Sequence, residues 1–205
     1  MADKKKSFKL KMSQNLAQLL IVMAGVFLGM LLTEWNTSRK TSARVEAAIE
    51  QIRIEISANQ KMIERSIAHK RPFFDSLDSL EKSVSEELGK EPVYDRPFLE
   101  RFPGWKGIGG IRADNSMYET AKFSDVIPEM NIELVQVIAK VYNTQNDYNR
   151  LRQTLMNRFL EMNSSSTYKD AFRIMWQIGE ELGAYELKLQ EEYKIALDKL
   201  EDYND

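Results

Sequence analysis

The chain is 205 residues long, carries a formal net charge of −2 and contains no cysteine. That length accommodates one or two domains, and the missing cysteines exclude disulfides, thiolate catalysis and cysteine-based metal sites. With 9 Gly and 5 Pro and abundant Glu, Lys, Leu, Gln, Met and Ala, the composition favours helix over sheet. The small net charge hides an asymmetry. Residues 1–33 hold five of the 29 basic side chains (Lys4, Lys5, Lys6, Lys9 and Lys11) and one of the 31 acidic ones (Asp3), leaving 24 basic and 30 acidic residues in the remainder. A mildly acidic main part lacks the basic footprint that nucleic-acid binding requires.

Residues 1–11 form a basic tail, followed by an uncharged apolar stretch over 12–33. As a helix those 22 residues reach about 33 Å, enough for the hydrocarbon core of a bilayer. A cleaved signal peptide would end its shorter apolar region at a small-residue site; here Leu31-Leu32-Thr33-Glu34-Trp35 follows, which favours a retained anchor with Trp35 at the interface. The lysines before the span outnumber Arg39, Lys40 and Arg44 after it. This bias predicts a cytoplasmic N-terminus and an outer C-terminal domain, in the periplasm of a two-membrane bacterium. Within the span, Gly25 and Gly29 have the G-x-x-x-G spacing that lets two helix backbones approach, so self-association through this face is expected.

Residues 34–71 read as a juxtamembrane amphipathic helix. Val45, Ile49, Ile52, Ile56, Asn59, Ile63 and Ser66 recur at alternating spacings of four and three, a heptad seam with Asn59 as its polar member. Two readings stay open: a coiled coil whose register Asn59 fixes by pairing with a partner, or an amphipathic helix packed on its own bundle. Residues 72–205 read as a helical domain. Pro72 ends the preceding helix or opens the next, and Gly89 offers a stop. Residues 90–114 hold clustered prolines and glycines and form the one long irregular segment. Ser116 with Glu119, and Thr167 with Asp170, have capping-box spacing. A short helix is expected from Ser116 to about Pro128, a long one capped by Asn131, a turn at Asn163-Ser164-Ser165-Ser166, and a last helix that Gly179 or Gly183 bends.

Two segments carry a resemblance. One runs from the span through Thr33-Glu34-Trp35-Asn36 to Glu55-Ile56-Ser57-Ala58-Asn59. The other is Tyr118-Glu119-Thr120-Ala121-Lys122-Phe123, leading to Asn131-Ile132-Glu133-Leu134 and Val141-Tyr142-Asn143-Thr144-Gln145. Over most of residues 16–150 the chain resembles a widespread group of uncharacterised bacterial single-span membrane proteins. The resemblance implies the architecture of an anchor plus helical extracytoplasmic domain and supplies no catalytic residues.

Catalytic, cofactor-binding and metal-ligating arrangements are not expected. His69 is the single histidine, without ligand spacing around it and beside Lys70 and Arg71. Lys106-Gly107-Ile108-Gly109-Gly110 lacks the spacing and terminal Lys-Ser/Thr of a phosphate loop, so its glycines are assigned to turns around Trp105. No serine stands in a nucleophile elbow. The loop places Arg101, Phe102, Trp105, Ile108 and Arg112 together, residue types favoured at binding hot spots, and is expected to capture a partner. The fold class expected is all-α, a single transmembrane helix continuing into an elongated helical bundle or coiled coil. Its expected role is a non-enzymatic scaffold or accessory subunit, with the lipid bilayer, a second copy and other membrane proteins as partners. The alternative is an extracytoplasmic small-ligand sensor working with a separate signalling subunit; a periplasmic enzyme ranks below both.

Overall fold

The computed structural model describes residues 2–93, 102–108 and 111–203, with side chains from Gln18 onward. Among these residues the chain is all helix and turn, apart from an isolated bridge between Pro92 and Thr167. In chain order the helices are α1 (Ala2–Ser83), α2 (Glu86–Lys90), α3 (Ser116–Phe123), α4 (Ile132–Leu160), α5 (Tyr168–Gln177) and α6 (Gly183–Asp202). A 3₁₀ turn, Ile127–Glu129, precedes α4, and a π segment, Ile178–Leu182, joins α5 to α6. The fold divides into two units, residues 1–47 and 48–205.

In the first unit α1 is long and apolar enough to cross a membrane, and its apolar window has no burial within the chain. Leu20, Val22, Phe27, Met30, Leu32 and Trp35 are all exposed. The Thr33 hydroxyl donates to the Gly29 carbonyl and that of Thr37 to the Thr33 carbonyl, each at 2.9 Å. These bonds satisfy the hydroxyls without an outside partner.

The second unit is a bundle of α1, α4 and α6. Side-chain contacts fix the helix directions. Glu55 and Asn59 of α1 meet Tyr142 and Gln145 of α4, so these two helices run parallel. Ser66 and Lys70 of α1, and Tyr148 of α4, all reach Glu186, while Gln145 meets Tyr193, so α6 runs antiparallel to both. The heptad seam faces this core: Ile49, Ile52, Ile56 and Ile63 are fully buried by the chain's own helices. Burying four isoleucines removes about 2 kcal/mol each of apolar exposure from water, which is what holds α1 to the bundle.

Pro72 departs from the sequence expectation by lying inside α1, which continues to Ser83. A proline there removes one backbone N–H. Ala68, whose carbonyl loses its donor, and Pro72 itself are on the exposed face, where water substitutes. Phe73 and Leu77, both buried, then pin the next turns. The short helix α3 also stops earlier than Pro128. It ends at Phe123 in a Schellman arrangement, with Val126 N–H on the Ala121 carbonyl and Asp125 N–H on that of Lys122. Asp125 takes the left-handed conformation (φ 53°) usual for glycine at that position. Gly89, expected as a helix stop, lies inside α2, the preceding helix having ended at Ser83, whereas the caps at Asn131 and Thr167 and the turn after α4 hold as read. Asn131 Oδ1 accepts from the backbone N–H groups of Glu133 and Leu134. Thr167 and Asp170 form a full capping box, and Asn163 and Ser166 close the turn between α4 and α5.

The π segment lies within a continuous core stripe of Met175, Ile178, Leu182, Glu186 and Leu189. Its two glycines differ. A Cβ on Gly179 would lie 2.7 Å from the Phe74 ring, whereas one on Gly183 meets nothing within 4 Å. Gly179→Ala is therefore expected to destabilise the bundle by about 1–3 kcal/mol, and Gly183→Ala to stabilise it by about 0.5–1 kcal/mol. Chemical denaturation of the two variants checks the opposite signs.

Candidate functional site

The bundle core carries a ladder of buried polar groups along α1. Its first rung is Glu55, only 6% exposed. Glu55 Oε1 accepts from the Tyr142 hydroxyl at 2.6 Å and faces the Tyr118 N–H at 3.5 Å; Oε2 accepts from the Met117 N–H at 2.8 Å and the Ser116 hydroxyl at 3.1 Å. The carboxylate thus caps the N-terminus of α3 from another helix, where free N–H groups and the helix dipole favour a negative charge. The expected reciprocal Ser116–Glu119 box is replaced by this contact: Glu119 pairs with Lys122 instead, and Asp114 Oδ1 accepts from the N–H groups of Asn115 and Ser116. Tyr118 stacks on Tyr142 with ring centroids 4.3 Å apart.

The second rung settles the environment of Asn59. Its Nδ2 donates to the Asp114 carbonyl at 2.7 Å and to Gln145 Oε1 at 3.2 Å, and its Oδ1 accepts from the Asp114 N–H at 3.0 Å. Gln145 in turn donates to the Asp114 carbonyl and accepts from the Tyr193 hydroxyl. With all these groups inside one chain, the coiled-coil register reading of Asn59 is corrected: it clamps the irregular segment before α3 to the bundle. The neighbouring Asn149 repeats the device, bonding both the N–H and the carbonyl of Ala113.

The third rung is Lys70 with Glu186, a pair at 2.7 Å whose side chains are 6% and 1% exposed. Glu186 Oε1 also accepts from Ser66 at 2.9 Å and Tyr148 at 3.2 Å. Burial pushes the Lys70 amine below its ordinary pKa, and the Glu186 charge only partly offsets it. Farther along α6, Glu192 is buried without a hydrogen bond and lies 3.5 Å from the Lys140 ammonium and 4.0 Å from that of Lys188.

The aromatic loop takes a different place from the one expected. Phe102, Trp105 and Ile108 are buried, so they do not present a partner-binding surface. Phe102 packs on Tyr168 and Phe172, and Trp105 on Phe73, Phe74 and Phe159, closing the end of the bundle. The turn that delivers them needs its glycine: Trp105 N–H bonds the Phe102 carbonyl across Pro103-Gly104, and Gly104 has φ +84°, the type II pattern. Arg112 is exposed beside a polar groove with Asn146 and Gln153. Arg101 lies outside the described residues, as do Phe98, Gly109 and Gly110. Gly25 and Gly29 have open space around them within the chain.

Sequence reading missed Glu55, Lys70 and Glu186. The signal was present: each is a charged residue at a seam or core-stripe position, and buried charges persist only when paired or hydrogen-bonded. No group of three His, Asp or Glu among the described residues has metal-site geometry. A groove of about 390 Å³ lies beside Lys70 and Glu186, between α1 and the π segment.

Removing Glu55 strands the α3 N–H groups and the Tyr142 hydroxyl together. Glu55→Ala should lower unfolding free energy by about 3 kcal/mol, Tyr142→Phe by about 1.5 kcal/mol, and the double variant by less than their sum. Additive losses in a denaturant double-mutant cycle would deny the rung.

A second expectation concerns alkaline pH. Burial raises the pKa values of Tyr142, Tyr148 and Tyr193 above their ordinary 10.0, with Glu55 or Glu186 adding to it. Each folded phenol keeps its proton where the unfolded one loses it, so the stability they confer is full below pH 10 and drains above it. Lys70 acts oppositely, its charging penalty being relieved between its lowered pKa and 10.5, so the tyrosines dominate beyond that point. Tyr148→Phe should make the loss of stability above pH 10.5 shallower by about 1.4 kcal/mol per pH unit, read from urea unfolding across pH 9–11.

Comparison with protein-family models, characterised proteins and solved structures finds no match to this chain.

Proposed function

We propose that the chain is a membrane-anchored helical module that works through protein contacts, with its first unit in the bilayer, its N-terminus in the cytoplasm and its helical domain in the periplasm. The observation that carries this reading is the contrast between the two units. The apolar residues from Leu19 to Leu32 have no partner within the chain, whereas the seam of the second unit is consumed by its own core. A run of exposed apolar side chains of that length has hydrocarbon as its natural solvent. The orientation rests on the lysines before the span. Gly25 and Gly29, bare of intrachain neighbours, are the face through which a second copy would pack. The buried ladder is hydrogen-bonded within the chain and serves rigidity, which suits a scaffold.

A second reading, small-ligand sensing by the helical domain, is favoured by one feature: the groove that opens beside the Lys70–Glu186 pair.

Reporter fusions test the anchored reading. A reporter active only outside the cytoplasm, joined after Asp205, should be active, and a cytoplasm-only reporter there silent. Replacing Lys4, Lys5, Lys6, Lys9 and Lys11 with Gln should shift part of the population to the opposite pattern. Full activity of the cytoplasmic reporter in the unaltered chain would overturn the orientation, and release of the chain by carbonate washing would overturn the anchor.

A further inference from the structure

The groove beside the third rung holds a buried acceptor and a buried donor that the chain leaves in part unused, side by side. Glu186 Oε1 accepts from Lys70, Ser66 and Tyr148, whereas Oε2 of the same carboxylate accepts from none of the described groups. The Lys70 ammonium has three N–H donors and gives one of them to Glu186 Oε1 at 2.7 Å. Both side chains line the groove, at 6% and 1% exposure. Polar groups so deeply buried cost free energy unless each meets its complement. Net charge adds little selection. The lining sets Lys70 and Arg71 against Asp75, Glu180 and Glu186. Of these, Arg71 and Asp75 lie 3.9 Å apart with both side chains more than two-thirds exposed, and Glu180 is exposed as well, so water screens all three. The complement is therefore a neutral group that accepts from Lys70 Nζ and donates to Glu186 Oε2.

A primary amide is such a group. It carries its acceptor oxygen and its donor nitrogen on one carbon, as Glu186 carries its two carboxylate oxygens, so both ends reach the pair together. A carboxylate lacks the donor, an ammonium lacks the acceptor, and a ketone lacks the N–H. A ligand that replaces water at a paired donor and acceptor must reproduce both bonds. The remaining lining supplies apolar contact. Phe74, drawn close at the bare Gly179, and Ile67 and Ile178 form walls, and Leu187 stands 61% exposed. Gly183 leaves open space in front of it, although alanine would be the better helix former there and would fit. A volume near 390 Å³ lies in the range of small-molecule sites.

We propose that this groove binds a small amphiphilic carboxamide, its carbonyl accepting from Lys70 Nζ, its N–H donating to Glu186 Oε2 and its apolar body against Phe74, Ile178 and Leu187. The site rests on the ligand-binding reading and not on the anchor. Saturable uptake of any probe sustains that reading, whereas the ranking of the probes decides the carboxamide.

The test uses the full chain in phosphatidylcholine nanodiscs and equilibrium dialysis with 3-phenylpropanamide, empty nanodiscs giving the lipid background. Saturable uptake above background is expected. The ketone 4-phenylbutan-2-one keeps the shape and the carbonyl but has methyl in place of the amide nitrogen, and should bind about tenfold more weakly because Oε2 then stays unpaired. The ions 3-phenylpropan-1-amine and 3-phenylpropanoate should each be weaker than the amide by at least as much. Gly183→Leu fills the open space and should abolish uptake while leaving the unfolding midpoint equal or higher. Leu187→Ser, at an exposed site, should weaken the amide about threefold by removing apolar contact. Absence of saturable uptake of the amide by the unaltered chain overturns the proposal. Binding of the ketone or either ion as tightly as the amide overturns the donor–acceptor pairing. Undiminished uptake by Leu187→Ser, or by a folded Gly183→Leu, places binding elsewhere and overturns the groove.

Discussion

The second unit depends on keeping charged and hydrogen-bonding groups satisfied inside an apolar helical core. Glu55 is the clearest instance. An ionised carboxylate taken from water is tolerated only where donors replace the lost hydration, and here they come from the start of α3 and from Tyr142 of α4. One side chain thereby fixes the positions of α1, α3 and α4 at once. Apolar seams alone would permit the helices to slide by a heptad, because one isoleucine layer resembles the next. Rungs at Glu55, Asn59 and Lys70 each accept a single register.

Those same rungs explain why the irregular segment before α3 is held without secondary structure of its own. Asn59, Gln145 and Asn149 supply the donors and acceptors that a strand or helix would otherwise provide for the backbone of Ala113 and Asp114. At the other end of the bundle, the aromatic side chains of Phe102 and Trp105 do the complementary job with apolar contact. Phe102, Trp105, Ala113 and Asp114 thus tie the described parts of this segment to the bundle.

The π segment sits where α5 passes into α6 and keeps one side in the core through Ile178 and Leu182. Two glycines there meet different surroundings: Gly179 within the segment lies against the Phe74 ring, whereas open space faces Gly183 just after it.

The apolar span, the basic residues before it, the heptad seam and the caps at Asn131 and Thr167 were legible in the sequence because each is a local or periodic pattern, decided by residues within a few turns of one another. The all-helical fold followed from them. Whether the seam faced a second chain or its own bundle was not legible, since Ile49, Ile52, Ile56 and Ile63 satisfy either geometry; only the fold brought Gln145 and Asp114 to Asn59. Likewise Pro72 signals a break locally, yet α1 passes through it because Phe73 and Leu77 are buried by distant residues. Phe102 and Trp105 had the composition of a binding surface, and only tertiary packing turned them inward. The pairing of Lys70 with Glu186 spans 116 residues of sequence, and no spacing rule reaches that far: such contacts are determined by where three helices converge, which is a property of the folded bundle and not of any stretch of the chain.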